Sequence, residues 1–152
     1  MPLLLWRFLT LLLAAFSMAL SLCHLMEMPP RLAWDPVLWM QATNFGGLYF
    51  LFGTVGAVID VSAILAAAVL AVLVRRRRPS LGYAVAGALL LAGGLAVWFA
   101  VVAPMNAVMA TWTPGPPPPD FAAVRDQWEH GHAVIAAIKI AGLAALRLSV
   151  LV

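Results

Sequence analysis

Four consecutive arginines, Arg75 to Arg78, separate long apolar runs and constrain this chain more than any other feature. Each arginine costs about 2.5–3.5 kcal/mol at the centre of a membrane helix, so the four must stay in water. The apolar runs cover residues 3–26, 45–74, 81–110 and 122–152. A helix needs about 20 apolar residues to cross a bilayer, so each run predicts one membrane-spanning helix. Pro29 and Pro30 are expected to end the first helix.

The composition agrees with a membrane protein. Of the 152 residues, 64% are hydrophobic and 10% are charged, whereas a soluble domain carries about 25% charged residues. The four runs use most of the chain, which predicts a single all-α integral membrane domain over residues 1–152. The net charge of +3 comes mostly from the arginine run, so it indicates topology and not nucleic-acid binding. The single cysteine, Cys23, excludes an intramolecular disulfide.

The positive-inside rule orients the predicted bundle. It puts the arginine run in the cytoplasm, and the short links between spans predict an up-down-up-down four-helix bundle with both termini cytoplasmic. Arg7 and Arg147 then fall on the same side as the run. Arg31 falls in the outer link with Trp34 and Trp39, at a position typical of tryptophans that anchor the membrane–water interface. We expect a protein of the bacterial inner membrane.

Two charged residues, Asp60 and Lys139, lie well inside the predicted spans. At a rise of 1.5 Å per residue, Asp60 lies roughly 22 Å from Arg75 and Lys139 roughly 12 Å from Arg147. An isolated charge in hydrocarbon is costly, so such residues usually face the bundle interior and pair. The sequence therefore predicts that Asp60 and Lys139 face one another, directly or through a polar group or water. The pair either specifies the fold or takes part in function.

Two histidine–glutamate pairs lie near the predicted outer ends of the first and fourth helices. His24 and Glu27 are three residues apart, as are Glu129 and His132, so each pair shares a helix face. His130 should point away from His132, because two residues turn a helix by about 200°. The spacing matches bundle metal sites, and these four residues are the candidate ligands of iron or another divalent metal. Haem ligation, a metal-free histidine base and a purely structural polar cluster are left open.

Three segments carry a resemblance to a known family. Residues 24–29 (HLMEMP), 104–106 (PMN) and 128–132 (WEHGH) resemble the anthrone-oxygenase-like family of small four-helix membrane proteins, many of which are classified as a domain of unknown function. The resemblance covers nearly the whole chain in hydropathy and motif order. It implies, for some members, oxygen-dependent oxidation of an aromatic anthrone to a quinone. It also implies that the pocket residues are His24, Glu27, Asn106, Trp128 and His132.

The first functional hypothesis is a membrane oxidoreductase of the oxygenase type, acting on a small apolar aromatic or quinone-like substrate that enters from lipid. The candidate catalytic residues are His24, Glu27, Asn106 and His132. A histidine oriented by a glutamate would remove a proton or hold a metal, and the asparagine would hydrogen-bond a carbonyl or an oxyanion. The candidate substrate-binding residues are Trp34, Asp60, Trp98, Trp128 and Lys139. The expected partners are the bilayer and the substrate, and a homo-oligomer is left open.

Two alternatives from other functional classes remain. A small transporter or accessory subunit would use the Asp60–Lys139 pair as a proton relay or a gate, and it predicts a water-lined channel through the bundle. A purely structural bundle would use its patches of small residues, at Gly53 with Gly56 and at Gly93 with Gly94, as contacts with another protein.

Overall fold

The computed structural model describes residues 2–47 and 49–152, and this part of the chain is helical without strands. The helices are α1 (Pro2–Leu32), α2 (Pro36–Met40), α3 (Phe50–Leu73), α4 (Arg78–Val97), α5 (Ala103–Met109) and α6 (Phe121–Leu151). Four helical stretches are long and apolar enough to cross a membrane: Pro2–Leu32, Phe50–Leu73, Arg78–Met109 and Phe121–Leu151. The all-α class and four candidate spans are therefore confirmed. The predicted second span started at residue 45, but α3 starts at Phe50, and residue 48 lies outside the described residues.

The end of α1 differs from the prediction. The helix continues through Pro29 and Pro30 to Leu32, so the expectation that these prolines end it was wrong. Each proline removes one backbone N–H donor, yet both residues lie on the exposed side of the helix. Arg31 in the same turn is buried and bonded to Glu129 on α6. This tertiary contact stabilises the last turn of α1, although the two prolines predict that the helix ends before it.

A wider π-helical turn joins α4 to α5 over Trp98–Val102. The N–H of Ala103 bonds to the carbonyl oxygen of Trp98, five residues earlier. Pro104 follows directly and has no N–H to continue the regular pattern, which gives a local reason for the wider turn. After this turn, α5 continues the same apolar run. The predicted third span is therefore one helical stretch that a π-helical turn interrupts.

The long helices pack as a closed ring in which α1 and α4 each contact both α3 and α6. The indole of Trp6 near the start of α1 donates to Ala66 O near the end of α3, at 3.0 Å. His24 near the other end of α1 meets Phe52 at the start of α3, with ring centroids 4.9 Å apart. The contacts between these two helices thus run in opposite chain directions.

The approach of α4 to α6 depends on a glycine. A Cβ on Gly87 would lie 2.5 Å from Leu146 Cγ, closer than carbon atoms can pack. Nearer the arginine run, the hydroxyl of Ser80 donates to Ser149 O at 2.6 Å. Small side chains therefore let these helices come together.

The two ends of the bundle are packed differently. At the arginine end, defined by residues 75–78, the start of α1 and the end of α6, a core of small and aliphatic residues is closed, and its fully buried members include Ala14, Ala67, Leu70 and Leu146. At the opposite end, which we call the tryptophan end, the core is built on Trp39, Trp128 and their neighbours. Large apolar side chains cover the outside of the helices, among them Phe8, Leu65 and Leu89. Such a surface suits lipid contact.

Candidate functional site

A cavity of about 530 Å³ lies inside the half of the bundle that ends at the tryptophan end. It is lined by residues of α1, α3, α4, α5 and α6, and most of its wall is apolar. Seven predicted site residues line it: His24, Asp60, Trp98, Asn106, Trp128, His132 and Lys139. The predicted residues Glu27, Trp34 and Glu129 do not appear in its lining. The structure thus brings the histidines and the intramembrane charges, which the sequence treated as two separate features, into one cavity.

The two histidines meet face to face at one end of this cavity. The rings of His24 and His132 stack with centroids 4.1 Å apart and planes 10° apart. His24 is only 5% exposed, and its Nδ1 is buried without a hydrogen-bond partner among the described residues. Two imidazolium cations this close would repel strongly, so the stack accommodates one charged ring at most. Both rings line the cavity, so the stack offers an imidazole that can accept a proton or a hydrogen bond from a ligand. His130, in contrast, is exposed and turned away, as predicted.

Aromatic side chains frame the histidine stack. Trp128 meets His132 edge to face, with centroids 4.4 Å apart, and Tyr49 stacks on His24 at 4.9 Å. The indole Nε1 of Trp128 donates to Asn106 Oδ1 at 2.8 Å. Because the amide oxygen is used in this way, Asn106 presents its Nδ2 as a donor. An imidazole base and an amide donor therefore line the same cavity.

Arg31 is the main residue that sequence analysis misplaced. It was assigned to an outer link, but its side chain is 1% exposed in the last turn of α1. Its Nε and Nη2 donate to the two oxygens of Glu129 at 2.8 and 2.7 Å, in the bidentate geometry of strong charge-assisted pairs. Nη2 also donates to His24 O at 3.0 Å, and Nη1 donates to Glu27 at 2.7 Å and to the Tyr49 hydroxyl. All five N–H bonds of the guanidinium are used.

This network changes how the predicted metal ligands are used. Glu27 and Glu129 both bond to Arg31, and Glu129 accepts another hydrogen bond from Trp39 Nε1 at 3.0 Å. Over residues 2–47 and 49–152, no three His, Cys, Asp or Glu side chains form a group that could hold a metal. The residues present therefore do not fit the metal set predicted from His24, Glu27, Glu129 and His132. Haem ligation stays a prediction.

Trp39 also lies elsewhere than the sequence indicated. It was assigned to the membrane interface, but its side chain is fully buried and bonds to Glu129. A sequence signal for the network exists, since Arg31 follows Glu27 by four residues and His24 by seven. That spacing puts all three on one face of a helix. It was hidden because the prolines suggested that the helix had already ended.

Tyr49 precedes α3 and connects the network to the surface. Its hydroxyl donates to Glu27 at 2.8 Å, and the Glu27 side chain is 47% exposed. Burial, together with this hydrogen bond, raises the pKa of Tyr49 to about 12. The hydroxyl therefore stays protonated at neutral pH, where it serves as a donor and not as a base.

Asp60 and Lys139 pair directly, which confirms the predicted contact. Lys139 Nζ lies 2.7 Å from both carboxylate oxygens of Asp60. The hydroxyl of Ser17 on α1 donates to Asp60 Oδ1 at 2.7 Å. A Cβ on Gly94 would lie 3.4 Å from Lys139 Cγ, so this glycine leaves room for the lysine stem. The pair joins α1, α3 and α6 at the cavity.

No known protein family, no curated protein and no solved structure matches this chain. The class of protein is therefore defined by its fold and cavity. It is a helical protein with four apolar stretches that can span a membrane, and it encloses a cavity with an aromatic, histidine-bearing end and a charged pair. The resemblance to the anthrone-oxygenase-like family depends on the three sequence segments and on the order of apolar runs and motifs.

Proposed function

We propose that this chain is a membrane oxidoreductase that oxidises a small, flat, apolar substrate inside the cavity, as the resemblance to anthrone oxygenases implies. The observation that carries the proposal is the stack of His24 on His132 in the lining of the cavity. A cavity of about 530 Å³ falls within the range of about 300–1,000 Å³ that is usual for small-molecule sites.

In this proposal the four spans run up-down-up-down in a bacterial inner membrane. The arginine run and both chain ends lie in the cytoplasm, and the cavity lies in the outer half of the bilayer. Three observations support this arrangement: the positive-inside rule, the opposed contacts of α1 with α3, and the contact of Ser80 with Ser149 next to the arginine run.

The chemistry for an anthrone-type substrate can be written with dioxygen as the oxidant. The methylene carbon loses two hydrogens and gains one oxygen atom as a carbonyl, while the second oxygen atom leaves as water with those hydrogens. The four electrons removed from carbon reduce the dioxygen. One histidine of the stack accepts the first proton. Asn106 Nδ2 donates to the substrate carbonyl oxygen, which becomes negatively charged as that proton leaves.

Access from lipid is supported by the residues at the side of the cavity. Gly53 and Ala57 on α3 and Phe99 in the π-helical turn after α4 are exposed and also line the cavity. The cavity therefore reaches the lipid-facing surface between α3 and this turn. An apolar substrate dissolved in the bilayer can enter there without crossing the loops.

The transporter alternative is less well supported. Between the Asp60–Lys139 pair and the arginine end, the closed core includes Ala67, Leu70 and Leu146, which are fully buried. Ion or proton transfer needs polar groups or water along its path. The packing at the arginine end favours a cavity with one closed end.

The test is oxygen uptake by the purified chain in lipid nanodiscs supplied with anthrone. His24→Ala and His132→Ala should each lower turnover by about 10²–10⁴-fold, the usual contribution of a general base. His130→Ala is the matched control, because that imidazole lies on the same helix and is exposed. Thermal unfolding should show that all variants fold. The proposal fails if the wild-type chain takes up no oxygen, or if His132→Ala behaves as His130→Ala does.

A further inference from the structure

The Asp60–Lys139 pair lines the same cavity as the histidine stack, nearer the arginine end of the bundle. His132 and Lys139 both line the cavity and are seven residues apart on α6, or about 10 Å by helical rise. Apolar side chains such as Ile135, Leu95 and Val61 line the wall with them. A ligand that fills this space would meet polar groups in two places and apolar wall between them.

Lys139 has no donor left for a ligand. Its ammonium carries three N–H bonds, and three acceptors surround it: the two oxygens of Asp60 at 2.7 Å each and Ser17 O at 3.4 Å. Its side chain is also only 5% exposed. The cation is therefore enclosed and satisfied by the protein.

Asp60 has acceptor capacity left. Its Oδ1 accepts from Lys139 and from Ser17, whereas Oδ2 accepts from Lys139. A carboxylate offers about four lone-pair sites, so Oδ2 can accept one more hydrogen bond. The side chain is 18% exposed and lines the cavity. At this pair the cavity presents a hydrogen-bond acceptor.

The charge balance selects the kind of donor. Lys139 already neutralises Asp60, so a cationic ligand would bring an uncompensated charge into an apolar space, which is costly. An anionic ligand would face the carboxylate and not the enclosed ammonium. A neutral hydroxyl group satisfies the free lone pair without adding charge.

We propose that Asp60 accepts a hydrogen bond from a neutral hydroxyl group of the ligand, and that Lys139 and Ser17 are positioning residues that hold the carboxylate. This inference rests on the proposed function in taking the ligand to be a flat aromatic carbonyl compound. It adds that Asp60 is the residue that binds a hydroxyl group of such a ligand, about two helical turns from the histidine stack.

The experiment measures binding without turnover. The probes are 2-acetyl-6-hydroxynaphthalene, its 6-methoxy ether and 2-acetylnaphthalene, which are fluorescent ketones without a ring methylene to oxidise. They are titrated into the full chain in phosphatidylcholine nanodiscs. The hydroxy probe should bind roughly tenfold or more tighter than both others, because its hydrogen bond is made to a charged group. The methoxy ether keeps the oxygen atom but lacks the hydrogen-bond donor. The unsubstituted ketone lacks the oxygen atom and controls for the size of the substituent.

A double variant with a matched control locates the effect. Asp60→Leu with Lys139→Met removes both charges together, so no unpaired charge is left buried, and it should abolish the preference for the hydroxy probe. Ile135→Val changes the cavity wall without a polar group and should keep the preference. Equal affinities in the wild-type chain would overturn the inference, as would tighter binding above the pH at which the probe ionises. This binding assay does not depend on oxygen uptake. If the hydroxy probe is preferred but the chain takes up no oxygen with anthrone, the proposed function is contradicted and this inference is not.

Discussion

Two buried ion pairs among the described residues differ in the hydrogen-bonding capacity that remains for a ligand. Arg31 and Glu129 are 1% and 0% exposed, and all five donors of the guanidinium are taken by the protein. Lys139 is equally enclosed, but Asp60 is 18% exposed and lines the cavity with one acceptor site free. An ion pair that is satisfied on all sides holds helices together, whereas an ion pair with a free acceptor at a cavity can recognise a ligand.

The enclosed pair acts at the histidine end. Arg31 joins the last turn of α1 to α6 through Glu129, and it also binds the carbonyl oxygen of His24. The two helices that carry His24 and His132 are thereby tied within a few residues of the ring stack. We therefore regard Arg31 as a residue that positions the stack and does not contact the substrate.

The largest effect should come from breaking the enclosed pair. Arg31→Met leaves Glu129 buried without its cation, and removing one partner of a buried pair costs about 3–5 kcal/mol. We expect a large loss of thermal stability in detergent, measured by unfolding. Arg125→Met is the control, because Arg125 pairs with its neighbour Asp126 at the surface, and such pairs contribute about 0–1 kcal/mol. Equal stability of the two variants would mean that Arg31 does not hold the fold.

A smaller change in stability is expected at the cavity pair. Asp60→Leu with Lys139→Met should leave the free energy of unfolding within roughly 1 kcal/mol of wild type or raise it, since apolar replacement of a whole ion pair is often neutral or stabilising. Asp60→Leu alone should destabilise strongly, because Lys139 would stay buried without a partner. Chemical unfolding of the three proteins measures the difference. If the double variant is as unstable as the single one, the cavity pair is also structural and the contrast between the pairs disappears.

The smallest effect should come from narrowing the side opening. A Cβ at Gly53 meets no atom within 4 Å, so Gly53→Trp should fold normally while its indole covers the opening between α3 and the π-helical turn. Oxidation of anthrone delivered from vesicles should slow several-fold. Gly93→Trp is the matched control, because its Cβ also meets no atom within 4 Å and Gly93 does not line the cavity. Equal rates for the two variants would exclude this side as the route of access.

Hydropathy alone predicted much of the fold, for a physical reason. In hydrocarbon the backbone must satisfy its own hydrogen bonds, so a long apolar run such as residues 122–152 becomes a helix whatever its neighbours. The pairing of Asp60 with Lys139 followed from the same logic, because charges at similar depth in a bilayer have few other partners. Both inferences use properties of single segments, namely length, rise and polarity.

Only part of the candidate site could be predicted from the properties of single segments. The sequence put His24 and His132 at the same end of the bundle, but it could not show that their rings stack or that Trp128 takes the oxygen of Asn106. Ring orientation depends on which helix faces approach one another, and those faces are chosen by packing across the whole bundle. The prediction that Glu27 and Glu129 join the histidines as metal ligands depended on side-chain direction, which the sequence does not determine.

By itself the sequence determined that the chain forms four apolar helices and that its two internal charges pair. The tertiary structure shows that α1 continues past Pro29 and Pro30, that Arg31 binds both Glu27 and Glu129, and that Trp39 lies in the core. A helix end and the partner of a buried charge are settled by what packs against them, because one strong tertiary contact outweighs a local preference for ending the helix.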